Sequence, residues 1–208
     1  MDDRLIQQLQ SGLKQPLPGQ EAQYRMAHVV RRRVEPPPAH AKQAAVLALF
    51  YPLQERWHLV FIERQSLHPD DRHAGQISFP GGRQEPSDAS LQETALREAE
   101  EEVGLDRNQV EVLGRLTHLY IPVSNYLVNP FVGMARQTPQ FTPEEAEVRD
   151  ILQVPLQHLM YPDTKQQTDL QLSQNITLRN VPYFNLDGKV LWGATAMIVN
   201  ELLTILNN

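Results

Sequence analysis

Arg97-Glu98-Ala99-Glu100-Glu101-Glu102-Val103-Gly104-Leu105 follows the turn Phe79-Pro80-Gly81-Gly82 at a distance that one helix spans. Four of the five residues from Glu98 to Glu102 are carboxylates, and they repel one another. A helix tolerates that density far better with a multivalent cation among the side chains. Glu98, Glu101 and Glu102 stand at i, i+3 and i+4, so the spacing puts them on one helical face. Three hard oxygen donors on one face suit Mg²⁺ or Mn²⁺ rather than zinc or copper. The pattern points to metal-assisted chemistry on a phosphate compound. Glu100 is rotated off that face and is expected to point away from the site.

The flanks frame this helix. Asp88 is the expected N-cap, and Gly104 is a natural C′ residue. Leu91, Ala95, Leu96, Ala99 and Val103 make an apolar stripe, which is expected to face a sheet while the glutamates face outward into a cleft. Upstream, residues 44–51 form an apolar run suited to a buried strand. Residues 57–63 read as a second strand, with Trp57, Leu59 and Phe61 on one face and His58, Val60 and Ile62 on the other. Residues 76–79 form a short strand leading into the glycine turn. Downstream, residues 110–120 and 126–135 read as strands joined by the Pro122–Asn125 turn. Further strands are expected at 147–154, 170–178 and 189–192, a short helix at 156–160 and a closing helix at 193–205. At the start of the chain, residues 3–13 carry a helical pattern that Pro16, Pro18 and Gly19 break. Arg31-Arg32-Arg33 before Pro36-Pro37-Pro38 reads as an extended, solvated connector. Residues 1–38 are therefore expected to be an N-terminal helix and proline-rich connector, and 39–208 the main domain. This order of elements implies an α/β protein, with a mixed sheet between helices.

Composition excludes several classes. The 208 residues suffice for one domain with modest extensions, and 41% hydrophobic content is ordinary for a globular chain. The net charge of −6 argues against nucleic acid as the main partner. With no cysteine, disulfides, thiolate catalysis and cysteine-based zinc sites are excluded. No apolar run reaches membrane-spanning length, so no membrane partner is expected. Neither end reads as a secretion or peroxisomal signal, and the cytoplasm is the expected compartment. The oligomeric state stays open, a homodimer included.

The segment from Arg97 to Leu105 resembles the second half of the Nudix hydrolase signature, Arg-Glu-(apolar)-x-Glu-Glu-x-Gly-(apolar), and matches it completely. The first half departs by one residue between Gly82 and Arg97, and Asp88 stands in place of the early glutamate. The stretch Arg72-His73-Ala74-Gly75-Gln76-Ile77-Ser78-Phe79-Pro80-Gly81-Gly82 is similar to the motif preceding this signature in the coenzyme A diphosphatase subgroup, which shares the extra residue. Its start, Val60-Phe61-Ile62-Glu63-Arg64, matches more loosely. Val181-Pro182-Tyr183-Phe184 and Trp192-Gly193-Ala194-Thr195-Ala196 also look like this subgroup.

The resemblance implies an α/β/α sandwich with a mixed sheet. It also implies a hydrolase that cleaves a diphosphate linkage with Mg²⁺ or Mn²⁺. Glu98, Glu101 and Glu102 would hold metal, joined by the Gly81 carbonyl, and Arg97 would orient Glu101. Arg64, Arg72 and Gly82 would meet the substrate phosphates. Glu147 would be a further ligand or the general base, with a plain surface glutamate as the competing reading. Tyr120, Tyr126 and Tyr183 offer stacking faces for a purine, although core packing is the commoner fate of strand aromatics. The implied substrate is coenzyme A or an acyl derivative. ADP-ribose, dinucleotides or nucleoside triphosphates are the alternatives within the same chemistry. A non-catalytic nucleotide-binding module and a structural protein with an acidic helix are the alternatives outside it.

Overall fold

A computed structural model describes residues 4–29, 36–65, 75–173 and 176–207. Arg72 and the Arg31–Arg33 run lie outside the described residues.

The apolar run near residue 44 becomes the long strand β1 (Lys42–Leu53), which lies inside the main sheet. Apolar residues on both faces are what an interior strand requires. Ala45, Leu47, Leu49 and Tyr51 enter one core layer, and Ala44, Ala48 and Phe50 enter the other. Around β1 stand β2 (Arg56–Arg64), β3 (Ile77–Ser78), β4 (Gly81–Arg83), β5 (Val110–Arg115), β6 (Leu119–Ile121), β7 (Tyr126–Ala135) and β8 (Val148–Pro155). The path β3-β2-β1-β7-β5 runs through the sheet, with β4 on β1, β6 on β7 and β8 on β2. β1 and β7 are parallel and the other pairs antiparallel, so the sheet is mixed as expected.

Helix α3 (Leu91–Val103) covers one face through Ala95, Leu96, Ala99 and Val103. The other face is covered by α5 (Gly193–Leu206), together with α1 (Arg4–Gly12) and α2 (Gly19–Tyr24). A second sheet of β9 (Lys165–Ser173), β10 (Ile176–Leu186) and β11 (Lys189–Trp192) joins this layer through Phe184, Leu186 and Leu191. The short helix α4 (Leu156–Met160) precedes it. Phe61 and Phe79 stack with ring centroids 4.6 Å apart, both fully buried. Each such side chain contributes about 1.5–3 kcal/mol of burial.

Three sequence expectations change. The strand expected over 110–120 is broken between β5 and β6, because the chain there turns to a buried acid. Glu201 of α5 is fully buried, and Oε1 accepts from Thr117 N at 3.3 Å and Gly19 N at 3.1 Å. Its Oε2 accepts from Gln23 Nε2 at 2.8 Å, and Gln23 also donates to Thr117 O. This knot also explains α2, a helix that the Pro16–Gly19 break concealed. The single strand expected at 170–178 is instead parts of two antiparallel strands, with Leu170 opposite Leu178. Alternation of side chains is the same before and after a reversal, so periodicity alone does not reveal it.

Candidate active site

The site is built where α3 crosses the turn at the start of β4. Ser90, not Asp88, caps α3, its Oγ accepting from Glu93 N at 3.2 Å. Gly104 ends the helix in the left-handed region at φ +66°, as its position predicts, donating to Glu100 O at 3.0 Å. The exposed carbonyls of the last turn are taken by the following loop: Thr142 N donates to Val103 O and Glu144 N to Glu102 O. That docking brings the 142–148 loop, and Glu147 with it, against the helix.

Asp88 has been recruited elsewhere. Its carboxylate grips Arg97 through Nε at 2.8 Å and Nη2 at 3.0 Å. It also accepts from Thr94 Oγ1 and Glu85 N, each at 2.9 Å. Arg97 then reaches Glu101 at 2.8 Å, Glu98 at 3.0 Å and the Arg83 carbonyl at 3.0 Å. One guanidinium thus binds three carboxylates and the β4 backbone. It touches Glu101 as implied, and Glu98 and Asp88 as well. The Asp88 carboxyl, 4% exposed, is held well below the usual range, chiefly by the Arg97 hydrogen bonds.

The three glutamates do not share one environment. Glu101 is 57% exposed, whereas Glu102 is 2% exposed, so the expectation that all face outward fails for Glu102. Geometry explains this: Glu102 lies next to Val103 on the buried side of α3, beneath the glycine turn. Its Oε2 accepts from Gly81 N at 2.8 Å, and Oε1 faces Arg64 Nη1 at 3.3 Å. Burial pushes Glu102 up to about 7 against the opposing pull of Gly81 N–H and Arg64, and Glu98 and Glu147 raise it further. Glu98 is likewise raised by burial first, against Arg97. The like charge of Glu147 raises both slightly further. Glu100 points away and pairs with Arg107.

A side chain at either glycine would meet a neighbour, the flexible Glu98 tip at Gly82 and fixed backbone at Gly81. A Cβ on Gly82 would stand 2.5 Å from the Glu98 carboxyl carbon. A Cβ on Gly81, at φ +152°, would strike the Ala45 carbonyl and lie 2.6 Å from Val46 Cα. Gly81 contributes its N–H to Glu102; its expected carbonyl contribution concerns an ion.

Among the described residues, no three carboxylate or imidazole side chains converge into a metal cage. Arg97 and Arg64 stand against the carboxylates instead. The donor set nevertheless fits a hard divalent cation. Burial disfavours the charged forms of buried Glu102 and partly buried Glu98, a cost that a cation would offset, and the side-chain-free Gly82 gives the Glu98 carboxylate its space. Arg64 occupies the site as a partner of Glu102. Of the tyrosines, Tyr120 bonds Asn125 at 3.0 Å and Tyr183 bonds Gln166 at 2.7 Å. Tyr126 lies under the Lys42 ammonium, 5.6 Å from its ring centroid. Asp88 was the residue whose role sequence reasoning missed. Asp88 precedes the first turn of α3, nine residues before Arg97, so helical periodicity carries no signal for the pair.

Comparison with known proteins gives the family. Residues 41–175 match the NUDIX domain model. An uncharacterized Nudix hydrolase NudL of Pectobacterium atrosepticum is 37% identical over 132 residues, covering 63% of this chain and 67% of that protein. Its namesake in Photorhabdus laumondii is 38% identical over 130 residues, covering 62% and 68%. The chain thus spans about two thirds of the length of these relatives. Among solved structures, the NUDIX domain of Shewanella oneidensis NrtR complexed with ADP ribose aligns with a TM-score of 0.46 at 19% identity, covering 67% of this chain and 86% of that one. With α3, the helix that carries the Nudix signature or box, its Arg97 and the glycine turn assembled as described, the chain belongs to the NUDIX domain family as a Nudix hydrolase.

Proposed function

We propose that this chain hydrolyses the diphosphate linkage of coenzyme A or an acyl-coenzyme A, in the cytoplasm, with Mg²⁺ or Mn²⁺. The products are 4′-phosphopantetheine, or its acylated form, and adenosine 3′,5′-bisphosphate. The observation that carries the hydrolytic reading is the arrangement of Glu98, Glu101 and Glu102 around Arg97 and against the Gly81–Gly82 turn. Nudix hydrolases generally use divalent metal ions. Glu98, Glu101 and Glu102, with the Gly81 carbonyl, would hold the cation, which when bound supplies charge neutralisation and a more acidic water.

The chain's own residues do the rest. Arg97, anchored by Asp88, fixes the carboxylates of Glu98 and Glu101. Arg64 exchanges its contact with Glu102 for a substrate phosphate, and Arg72 adds a second. Gly82 leaves room for the diphosphate beside Glu98. Water oxygen forms a bond to one phosphorus as the bridging P–O bond breaks, and Glu147 or a box glutamate takes the water's proton. The coenzyme A assignment is supported by the sequence resemblance of the segment leading into Gly82. The later resembling segments are largely structural: Phe184 and Ala196 are fully buried.

A product assay tests this on coenzyme A, acetyl-coenzyme A, ADP-ribose, NADH, diadenosine polyphosphates and nucleoside triphosphates. Release of adenosine 3′,5′-bisphosphate clearly faster than all other turnover is expected. Preference for another compound would discard the coenzyme A assignment and keep the hydrolytic helix. No turnover of any compound would count against hydrolysis of this class of diphosphate.

A further inference from the structure

On the sheet face opposite α3, an open cleft of about 690 Å³ lies between α2, α5 and the β9–β10 pair. Its walls include Arg25, Met26, Lys165, Gln167, Asn200 and Asn207. Met26 and Phe184 belong to the core layer of α5, whereas the box helix packs into the other layer, so the sheet separates this cleft from the glutamates.

The cleft carries two cations and no acidic wall residue. Lys165 is the central feature. Its ammonium donates to Asn200 Oδ1 at 2.9 Å and lies 5.6 Å from the Phe184 ring centroid. Asn200 is buried, and its Nδ2 donates to Ala22 O at 2.7 Å, so the amide is fixed with its oxygen toward Lys165. An ammonium has three donors, and one neutral acceptor does not balance its charge. Among the described residues no carboxylate pairs with Lys165, and the only partner of Arg25 is the exposed Glu21 at 3.0 Å. Lys165 is open to the cleft, yet the crowding of its walls and then the like charge of Arg25 disfavour its protonated form. An anion between the two cations offsets both effects by favouring the charged ammonium. The volume suits a ligand of nucleotide size.

We propose that this cleft is a second binding site, taking a small phosphate-bearing molecule whose phosphate sits between Lys165 and Arg25. It is independent of the hydrolytic reading.

The test is calorimetric titration of the full chain with ADP in EDTA, with succinate as a carboxylate comparison. Wild type, Lys165→Met, Arg25→Gln and Glu102→Gln are compared, each first checked for a cooperative thermal transition. ADP is expected to bind, with about tenfold or weaker affinity in Lys165→Met, a smaller loss in Arg25→Gln and no change in Glu102→Gln. If Lys165→Met does not fold, the Arg25→Gln and Glu102→Gln pair decides in the same way. The proposal is overturned by absence of ADP binding, by equal affinity in the cleft variants and wild type, by loss in Glu102→Gln instead, or by succinate binding in place of ADP.

Discussion

Replacing Asp88 with asparagine removes one charge from a carboxylate that is 4% exposed and accepts from Arg97 twice, from Thr94 and from Glu85 N. Removing one partner of a buried ion pair costs about 3–5 kcal/mol. Asparagine keeps an oxygen for three of these donors if it faces Thr94 and Glu85 N, but its NH₂ then meets Arg97 Nε–H head on. Arg97 retains Glu98 and Glu101. The expected loss is therefore about 2–3 kcal/mol, or a fall of about 4–12 °C in Tm for a chain of this size. The pH dependence follows from the depressed carboxyl. Its contribution is complete above the unfolded value of about 3.9 and disappears as pH falls further toward the folded value. Melts of both proteins should therefore differ by a constant amount from pH 8 to 5 and converge in more acid solution. The same variant should lower kcat at least tenfold, since Arg97 no longer fixes two of the box carboxylates. A variant within about 0.5 kcal/mol of wild type, or a gap that persists undiminished in acid, would refute the anchoring role.

Other perturbations separate stability from chemistry. Glu102 titrates near 7 in the folded chain, so metal-free protein should gain stability as pH falls from about 7 to about 4.5. Glu102→Gln should lack that slope, exceed wild type by about 1–2 kcal/mol at pH 8 in urea melts and be inactive; a destabilised variant would contradict the burial penalty. Gly82→Ala displaces only the flexible Glu98 tip, so it should cost under about 1 kcal/mol while activity falls at least tenfold. Gly81→Ala meets the backbone of Ala45 and Val46, and should lose more than about 2 kcal/mol in the same melts. Glu147→Gln should reduce kcat about a hundredfold with little change in Tm if Glu147 is the base; a near-normal rate would move that role to a box glutamate.

The chain's local rules were readable wherever residues answer only to near neighbours. The α3 stripe, the Gly104 terminus and the two faces of β2 followed from periodicity, because helix and strand geometry set which side chains share a face. Caps and breaks were less legible where a distant partner competes. Asp88 left the helix terminus for Arg97, and Thr117 left the sheet for Glu201. No window of sequence contains both members of such a pair in a recognisable pattern.

The sequence by itself determined the mixed α/β class, the helix that carries the Nudix signature and the set of carboxylates on it. These depend on spacing along one continuous element and on side-chain chemistry. Only the tertiary structure decided that Glu102 is buried while Glu101 is exposed, that one arginine gathers three acids, and that a cationic cleft lies behind the sheet. Burial and charge pairing depend on what packs against a residue from other segments. Helical spacing sets Glu101 and Glu102 about 100° apart, one on either side of Glu98, and only the packing of the Gly81 turn decides which of them is covered.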